Sequence, residues 1–385
     1  MRLTLVIGTL DGGGAERMAT IMANYWAAKD WEVTILTTHF AGQRPSYALH
    51  PCVKHLDLGH QPIYSQPMDS NESAPIIGLI RGCSQAERAG LPQTTRLLKL
   101  RAAIQSTAPQ VVISFMDYTN LRVLLATRGL GLPVIVSEQC DPNENALGTG
   151  WELLRRRLYS QASYVTVLTE ESLRYFSSFS GIRGRIIPNA LTPDVFSSSD
   201  EMPRPKNRKT LLAVGRLGHE KGYDLLLIAF ALVADKHPDW TLEIVGDGPV
   251  RAYLESCVRK HRLTERVRMP GFTRRPFDAM RRADLFVLSS LDEGFGTVLI
   301  EAMACGLAVV SFDCPSGPRH IIRDGIDGVL VPPRDAQAMA AALNHLMGDE
   351  SERHRLAAKA LEVVERFGVE KVMGMWEELI FDRAS

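Results

Sequence analysis

Short apolar runs alternate with amphipathic segments of helical length through most of the chain, and this alternation limits the folds open to it. In the N-terminal half the apolar runs lie at residues 3–10, 32–38, 53–58, 110–115, 133–138, 164–168 and 185–189. A second series of strand and helix patterns begins at Thr210. Apolar runs separated by helices are typical of parallel sheets covered by helices on both faces. The sequence therefore predicts an α/β protein with doubly wound parallel sheets.

The chain divides most naturally at residues 191–208, LTPDVFSSSDEMPRPKNR, which are rich in serine, proline and charge. Such composition is typical of a linker, and 385 residues are enough for two domains. We expect one Rossmann-like domain over residues 1–190, a second over residues 209–368, and a final helix over residues 369–385 that crosses back to the first domain. Ligands of such sheets bind at the carboxyl ends of the strands, so the two domains would face a central cleft.

Residues 60–91 show no clear strand or helix pattern. Two interpretations stay open for them: a loop that faces an acceptor, or a surface excursion that packs on the first domain. We favour packing.

Charge and hydropathy exclude several classes of protein. The chain has 44 basic and 44 acidic side chains, so no net field predicts a nucleic-acid partner. The apolar N-terminus runs directly into Asp11 and three glycines without a small-residue cleavage site, which favours a buried strand over a signal peptide. No apolar stretch approaches the roughly 20 residues that span a bilayer. We expect a cytoplasmic protein.

Two glutamates, Glu293 and Glu301, flank a glycine-rich turn with the sequence EGFGTVLIE. Residues 284–290 before it predict a buried strand, and residues 297–305 after it predict a helix. A helix start that follows a glycine turn binds anions, because free backbone N–H groups and the helix dipole converge there. Carboxylates on both sides of a phosphate would accept hydrogen bonds from hydroxyls attached to it. This pattern predicts a sugar nucleotide, bound around Gly294 and its neighbours.

Two cations follow the first strand of the second half, Arg216 and Lys221. Arginine as a fork and lysine as a point charge can together clamp a pyrophosphate. The alternative is a pair of solvated surface charges, and the nearby glutamates favour the clamp. The chain contains no Asp-x-Asp, so these cations and the helix at Thr297 would neutralise the leaving group. We expect no metal cofactor.

Weaker signals lie at other strand ends. Gly13 and Gly14 would let the backbone approach a ligand closely, or would only form a tight turn, and they do not complete G-x-G-x-x-G. Gly246 would shape the wall by the diphosphate or form a structural turn. Phe272 lies where backbone groups could bind a base, and Asn189 would orient a substrate or cap its turn.

Together these motifs resemble those of the retaining GT-B glycosyltransferases of family 4, through essentially the whole chain. The match is most specific over residues 284–333. The sequence FDCPSGPR at residues 312–319 and the opening IGTLDGGGAER resemble a branch that builds bacterial polysaccharides and lipid-linked oligosaccharides. The resemblance implies a GT-B fold of two Rossmann-like domains.

The resemblance also implies roles for the residues around the glycine turn. Glu301 would bind the ribose diol, and Glu293 would bind hydroxyls of the donor sugar without acting as a nucleophile. Backbone N–H groups of Phe295, Gly296 and Thr297 would contact the sugar or the β-phosphate.

The same resemblance assigns the phosphate contacts. Arg216 and Lys221 would hold the pyrophosphate and stabilise the departing nucleoside diphosphate. Gly13 and Gly14 would approach the same phosphate from the N-terminal domain.

One departure from the family concerns a histidine that many relatives carry in the N-terminal domain. Here the two strand ends read MDYTN at residues 116–120 and SEQCD at residues 137–141, without histidine. Asp117 or Glu138 would take its place in contacting the sugar or the acceptor. Both residues also suit helix capping or a satisfied polar contact. Asp117 is our catalytic candidate beside Glu293.

The resulting hypothesis is a transferase that moves a hexose or N-acetylhexosamine from a UDP-sugar to a lipid-linked or polymeric glycan. The alternatives are a non-catalytic nucleotide-sugar-binding protein and a Rossmann-type oxidoreductase or epimerase. Residues 151–158 and 94–101 are basic and amphipathic. They predict either contact with the anionic inner face of the cytoplasmic membrane or solvated helix faces.

Overall fold

The computed structural model describes residues 1–39, 45–59, 92–196 and 209–384. The segment 60–91 and residues 197–208 of the expected linker lie outside the described residues. The chain forms two compact units. Unit 1 comprises residues 1–188 and 372–385, and unit 2 comprises residues 189–371.

Unit 1 contains a parallel sheet of seven strands in the order β3-β2-β1-β4-β5-β6-β7. The strands are β1 Arg2–Ile7, β2 Glu32–Thr37, β3 Lys54–Asp57, β4 Val111–Phe115, β5 Val134–Ser137, β6 Tyr164–Val167 and β7 Gly184–Ile186. Every residue of β4, β5 and β6 is buried, as expected for strands covered by helices on both faces. The strand order reverses between β1 and β4, which are hydrogen-bonded neighbours.

Helices cover this sheet, and the last helix of the chain joins them. They are α1 Gly14–Ala27, α2 Pro92–Ser106, α3 Asp117–Thr127, α4 Thr149–Leu158 and α5 Glu170–Ser177, with the later α14 Val369–Ala384. From residue 372 onward α14 belongs to unit 1. Lys29 Nζ lies 2.8 Å from Glu377 Oε1 of α14, and Phe381 packs edge-on against Trp31. These contacts fix the end of the chain on unit 1.

Unit 2 contains a parallel sheet of six strands in the order β10-β9-β8-β11-β12-β13. The strands are β8 Lys209–Val214, β9 Trp240–Val245, β10 Val267–Gly271, β11 Leu285–Leu288, β12 Val309–Phe312 and β13 Val329–Val331. The helices are α6 Tyr223–Ala231, α7 Arg251–Lys260, α8 Pro276–Arg282, α9 Thr297–Ala304, α10 Pro318–Ile321, α11 Ala336–Gly348, α12 Glu350–Ala360 and α13 Val363–Phe367. The predicted α/β class with doubly wound parallel sheets is confirmed.

The core of unit 2 lies between its sheet and the helices. Leu226, Phe230, Leu343 and Leu346 are fully buried against the strands. The strand order reverses between β8 and β11, which pair in parallel. In open α/β sheets ligands bind beyond the carboxyl ends of the strands at such a reversal. The loops that follow β8 and β11 are therefore the expected ligand site of unit 2.

Candidate active site

Two segments follow these neighbouring strands. We call residues 215–222, after β8, the lysine turn, and residues 289–297, after β11, the glutamate loop. Because both strands are parallel and adjacent, their carboxyl ends lie at the same edge of the sheet. Residues that are distant in sequence meet there.

Lys221 and Glu293 form an ion pair at this edge, with Lys221 Nζ 2.6 Å from Glu293 Oε1. The Ser290 hydroxyl donates to the same oxygen at 2.6 Å. The side chains of Lys221 and Glu293 are 21% and 11% exposed, so the pair is largely shielded from water. Sequence reasoning missed Ser290. The sequence feature that could have identified it is a hydroxyl side chain at the end of a predicted buried strand, three residues before a glutamate.

The backbones of the two segments are also fastened together. Ser289 Oγ donates to the Lys221 carbonyl at 2.8 Å, and the Leu291 N–H donates to the Glu220 carbonyl at 2.8 Å. Gly222 has φ +57°, and a Cβ there would clash with the Ser289 carbonyl oxygen. Only glycine fits this approach without strain.

Arg216 is arranged differently from Lys221. Its exposed guanidinium contacts Glu220 at 2.8 Å, whereas the Lys221 ammonium contacts Glu293. The predicted clamp thus consists of two cations that each hold a carboxylate in this structure. A phosphate would have to compete with those carboxylates for the cations.

Helix α9 begins at Thr297 after Gly296, which has φ +88°. Within the described part of the chain, no side chain caps this helix start, so its backbone N–H groups suit an anion. Phe295 is buried and packs edge-on against Phe367, with ring centroids 5.5 Å apart. Its contribution to a ligand would therefore come from the backbone, as would that of Gly294.

Glu301 and Asn189 lie around the same helix start. Glu301 is 2% exposed, one turn into α9 from Thr297 and on the same face. Asn189 is 4% exposed, and its Nδ2 donates to Thr297 Oγ1 at 3.4 Å. Its Oδ1 has no hydrogen-bond partner among the residues described. A buried amide oxygen without a partner is costly, and a water or ligand hydroxyl that donates to it would remove that cost.

A second loop, residues 313–317, packs against the glutamate loop. Gly317 has φ +95°, and a Cβ there would lie 2.5 Å from the Phe295 carbonyl oxygen. The Ser316 hydroxyl approaches the Gly294 carbonyl at 3.5 Å. Burial, followed by the charge of Glu293, raises the pKa of the neighbouring Cys314 thiol to about 12. The thiol therefore stays protonated and serves as apolar packing.

The weaker candidates of unit 2 occupy neighbouring strand ends. Gly246 follows β9, and a Cβ there would clash with the Gly215 carbonyl oxygen of the lysine turn. Gly246 therefore lets the ends of β8 and β9 approach closely. Phe272 follows β10 and is 65% exposed, so its side chain is accessible to a ligand.

In unit 1, Gly13 and Gly14 form the start of α1 and are both exposed. The Glu16 carboxylate folds back over this start, where it would meet a Cβ placed on Gly13. Tyr47 donates to the Gly12 carbonyl at 2.7 Å and holds the turn. The glycines leave the backbone accessible, with an acidic side chain beside it.

Asp117 is the first residue of α3, after Met116 with φ +72°. A bulky residue in that conformation carries backbone strain, which accumulates at functional sites. Asp117 accepts a 2.6 Å hydrogen bond from the Tyr118 N–H, and burial raises the pKa of its carboxyl. It remains partly accessible.

Glu138, the other candidate, is 3% exposed and lies in a polar network. Tyr159 donates to its carboxylate, as does Asn120 at 3.4 Å. Burial, and then the charge of Asp117, raise the pKa of Glu138 to about 7. Glu138 is therefore an internal support, and Asp117 is the carboxyl that a substrate could reach.

The basic helix α4 is less available to a membrane than its sequence indicated. Arg155 is 1% exposed and contacts Glu152 at 2.5 Å and the Tyr175 hydroxyl at 2.8 Å. Arg156 and Arg157 remain exposed beside Leu153. Within the residues described, no helix combines the length and apolar character needed to cross a bilayer. The same residues contain no cluster of three or more His, Cys, Asp or Glu side chains suited to a metal ion.

Known proteins resemble this chain along both units. Residues 195–363 match the family described as "Glycosyl transferases group 1", and residues 13–190 match "Glycosyl transferase 4-like domain". An N-acetylgalactosamine-N,N'-diacetylbacillosaminyl-diphospho-undecaprenol 4-alpha-N-acetylgalactosaminyltransferase of Campylobacter jejuni is 33% identical over 381 residues. The match covers 96% of this chain and 97% of that protein.

Two further comparisons differ in what they cover. An exopolysaccharide phosphotransferase of Streptomyces coelicolor is 33% identical over 287 residues, 73% of this chain, but the match spans only 28% of that longer protein. The crystal structure of Anabaena HepE in complex with UDP has a TM-score of 0.76 and 18% identity, and covers 99% of this chain and 100% of that one. This structural likeness shows the fold. Because the Campylobacter relative matches over nearly its whole length and both family descriptions name glycosyl transferases, the chain belongs to the group 1 glycosyltransferases and is an enzyme of family 4 with the GT-B fold.

Proposed function

We propose that the protein is a retaining glycosyltransferase that moves a hexose or N-acetylhexosamine from a UDP-sugar to a lipid-linked or nascent polysaccharide acceptor. The observation that carries this proposal is the position of Glu293 and Glu301 on either side of the start of α9. Backbone N–H groups at the helix start suit a phosphate. Ionised carboxylates accept hydrogen bonds and donate none, so they suit hydroxyls. A nucleotide sugar has hydroxyls on both sides of its diphosphate.

Each residue then has a chemical role. Glu301 would bind the ribose diol and Glu293 the hydroxyls of the donor sugar. Backbone N–H groups from Gly294 to Thr297 would contact the sugar or the β-phosphate. Charge that develops on the leaving diphosphate would be stabilised by these fixed dipoles.

Arg216 would turn from Glu220 toward the pyrophosphate when the donor binds. Lys221 would keep its contact with Glu293 and bridge that carboxylate to the pyrophosphate. Gly246 and Phe272 would line the nucleoside side. In unit 1, the accessible backbone of Gly13 and Gly14 and the carboxyl of Asp117 would serve the phosphate and the acceptor.

In the transfer step the bond between the anomeric carbon and the diphosphate oxygen breaks, and the acceptor oxygen bonds to the same face of that carbon. The acceptor hydroxyl gives its proton to the diphosphate oxygen that leaves the anomeric carbon, and UDP departs. An oxocarbenium-like transition state needs negative charge nearby without a covalent bond. Glu293 fits that electrostatic task.

The known proteins support the donor and acceptor classes. HepE was crystallised with UDP, and the Campylobacter relative is named for a diphospho-undecaprenol substrate. Exposed Leu153, Arg156 and Arg157 on α4 suit an anionic membrane surface that carries such an acceptor.

The decisive experiment screens UDP-Glc, UDP-Gal, UDP-GlcNAc and UDP-GalNAc for thermal stabilisation and for UDP release with undecaprenyl-diphosphate-linked glycans. We expect one donor to stabilise the chain and to be consumed. Binding without consumption would instead identify a nucleotide-sugar-binding protein. Stabilisation by NAD(P) and by none of the UDP-sugars would contradict the proposal.

A further inference from the structure

Two hydrogen-bond donors of unit 2 meet on a single oxygen of Glu293. Lys221 Nζ and Ser290 Oγ each lie 2.6 Å from Oε1. Within the part of the chain that the structure describes, no hydrogen bond reaches Oε2. Two charge-assisted hydrogen bonds on one oxygen hold a carboxylate against rotation. The direction of the second oxygen is then set by the protein.

Ser290 supplies the directional part of this arrangement. It is the second residue after β11 and is 1% exposed, so its own position is fixed by packing. Its hydroxyl has one short rotatable link to the backbone, whereas the Lys221 ammonium sits on a flexible four-carbon stem. Lysine therefore supplies charge, and serine supplies orientation.

The neighbouring serine has a different partner. Ser289 donates to the backbone carbonyl of Lys221 at 2.8 Å, so the two serines fix the two members of the ion pair separately. Ser289 fixes the backbone of Lys221, and Ser290 fixes the orientation of the Glu293 carboxylate.

We infer that Ser290 is a positioning residue of the transfer site, which with Lys221 holds Oε1 of Glu293 so that Oε2 accepts a hydrogen bond from a hydroxyl of the donor sugar. This inference rests on the proposed function, because it needs a sugar at Glu293. It assigns the two oxygens of one carboxylate to different tasks. Oε1 belongs to the protein and Oε2 to the substrate.

If Ser290 orients Glu293, then Ser290→Ala should lower the turnover of the UDP-sugar without lowering the affinity for UDP. UDP carries no donor sugar, so Ser290→Ala should leave its affinity within about twofold of the wild type. Turnover of the UDP-sugar should fall roughly 10- to 150-fold, the range for loss of a hydrogen bond to a charged group. A general loss of folding would lower both.

The experiment compares the full-length wild type, Ser290→Ala and Ser311→Ala. Ser311 is a matched control: it is fully buried in β12 of the same unit, and its hydroxyl donates to the Phe312 carbonyl at 2.8 Å. Calorimetry measures UDP affinity, and UDP release from the preferred UDP-sugar measures turnover. We expect the loss of turnover in Ser290→Ala alone. Equal losses in both variants, or turnover of Ser290→Ala within twofold of the wild type, would overturn the inference.

Two more variants test whether Ser290 acts through Glu293. Ser290→Thr keeps the hydroxyl and should recover most of the turnover. In a Glu293→Ala background, Ser290→Ala should cause no further loss, because the group that it orients is absent. Additive losses would show that Ser290 acts by another route. A wild-type chain that binds no UDP would overturn the proposed function itself, which is a separate result.

Discussion

Lys221 Nζ lies 2.6 Å from Glu293 Oε1, although 72 residues separate them in sequence. The lysine follows β8 and the glutamate follows β11, and these parallel strands are neighbours where the strand order of unit 2 reverses. Both side chains are mostly shielded from water, so each charge depends on the other. The pair joins the residue expected at the pyrophosphate to the residue expected at the sugar.

Removing one charge of this pair should cost more stability than removing both. Lys221→Met leaves a largely buried carboxylate without its cation, and we expect a loss of about 1–3 kcal/mol in the free energy of unfolding of unit 2. Lys221→Met combined with Glu293→Gln should recover part of that loss. Urea denaturation of the three proteins measures it. A double variant less stable than Lys221→Met would contradict the coupling.

Glu301→Gln should weaken UDP binding, since it keeps the shape of a buried side chain and removes its charge. A hydrogen bond to a charged group contributes about 1.5–3 kcal/mol, which corresponds to roughly 10- to 150-fold in affinity. Glu293→Gln is the comparison: its turnover should fall, but its UDP binding should not weaken, because the substitution removes a carboxylate that competes with phosphate for Lys221. Calorimetry with UDP distinguishes them. Wild-type affinity in Glu301→Gln would remove Glu301 from the nucleotide site.

Gly317→Ala should disturb the glutamate loop. Its Cβ would lie 2.5 Å from the Phe295 carbonyl oxygen at φ +95°, which adds a clash to backbone strain of about 1–3 kcal/mol. Gly306→Ala is the control, because Gly306 has φ +80° but open space around it.

We expect both glycine variants to lose stability and only Gly317→Ala to lose UDP-sugar turnover. Thermal denaturation and UDP release measure the two effects. If the two variants lose turnover equally, the contact with Phe295 has no part in the site.

The stability of unit 1 should fall as pH rises from about 4.5 to about 7. The pKa of Glu138 is raised from 4.5 to about 7, so in this range the folded protein holds a proton that the unfolded chain has released. By linkage this contribution is complete at low pH and lost as pH rises through the folded pKa, by about 3 kcal/mol in all.

Glu138→Gln should abolish this contribution, because the amide does not titrate. Glu378→Gln, an exposed site on α14 in the same unit, should keep it. Denaturation of each variant at pH 5 and pH 7.5 supplies the comparison. An unchanged pH dependence in Glu138→Gln would place the titrating group elsewhere.

Binding to anionic vesicles should depend on α4. Arg156→Gln with Arg157→Gln should weaken partitioning by about 30-fold, since each cation near the surface contributes about 1 kcal/mol. The control removes the same charge from α7 of unit 2 through Arg259→Gln and Lys260→Gln, both at exposed positions. Flotation with phosphatidylglycerol and phosphatidylcholine vesicles tests this. Equal losses in both double variants would exclude a specific role for α4.

Local sequence pattern predicted the parts of the fold that depend on local chemistry. Apolar runs gave β4, β5 and β11 within about two residues, because a strand buried on both faces has few polar positions. The glycine turn before Thr297 also predicted where α9 begins. Glycines mark two of the breaks between the C-terminal helices, at Gly348 and Gly368, but the end of α12 at Ala360 carries no glycine or proline that would mark it in the sequence.

Side-chain partners were harder to predict, because they depend on which strands are neighbours. Sequence placed Arg216 and Lys221 together as a clamp, whereas the structure pairs them with Glu220 and Glu293. It also treated Arg155 as a surface cation, although α4 turns that side chain into the core. A charged residue within a short basic run gives no local sign of burial when its partners come from other helices.

Sequence alone determined the class of fold, the family and the two glutamates around a helix start, because each follows from residue spacing within a short segment. Tertiary structure decided that Glu293 is held by Lys221 and Ser290, that Gly317 supports Phe295, and that Glu138 is enclosed behind Asp117. The physical reason is the order of strands in each sheet. Strand order brings distant residues within hydrogen-bond distance, and no periodicity along the chain encodes it.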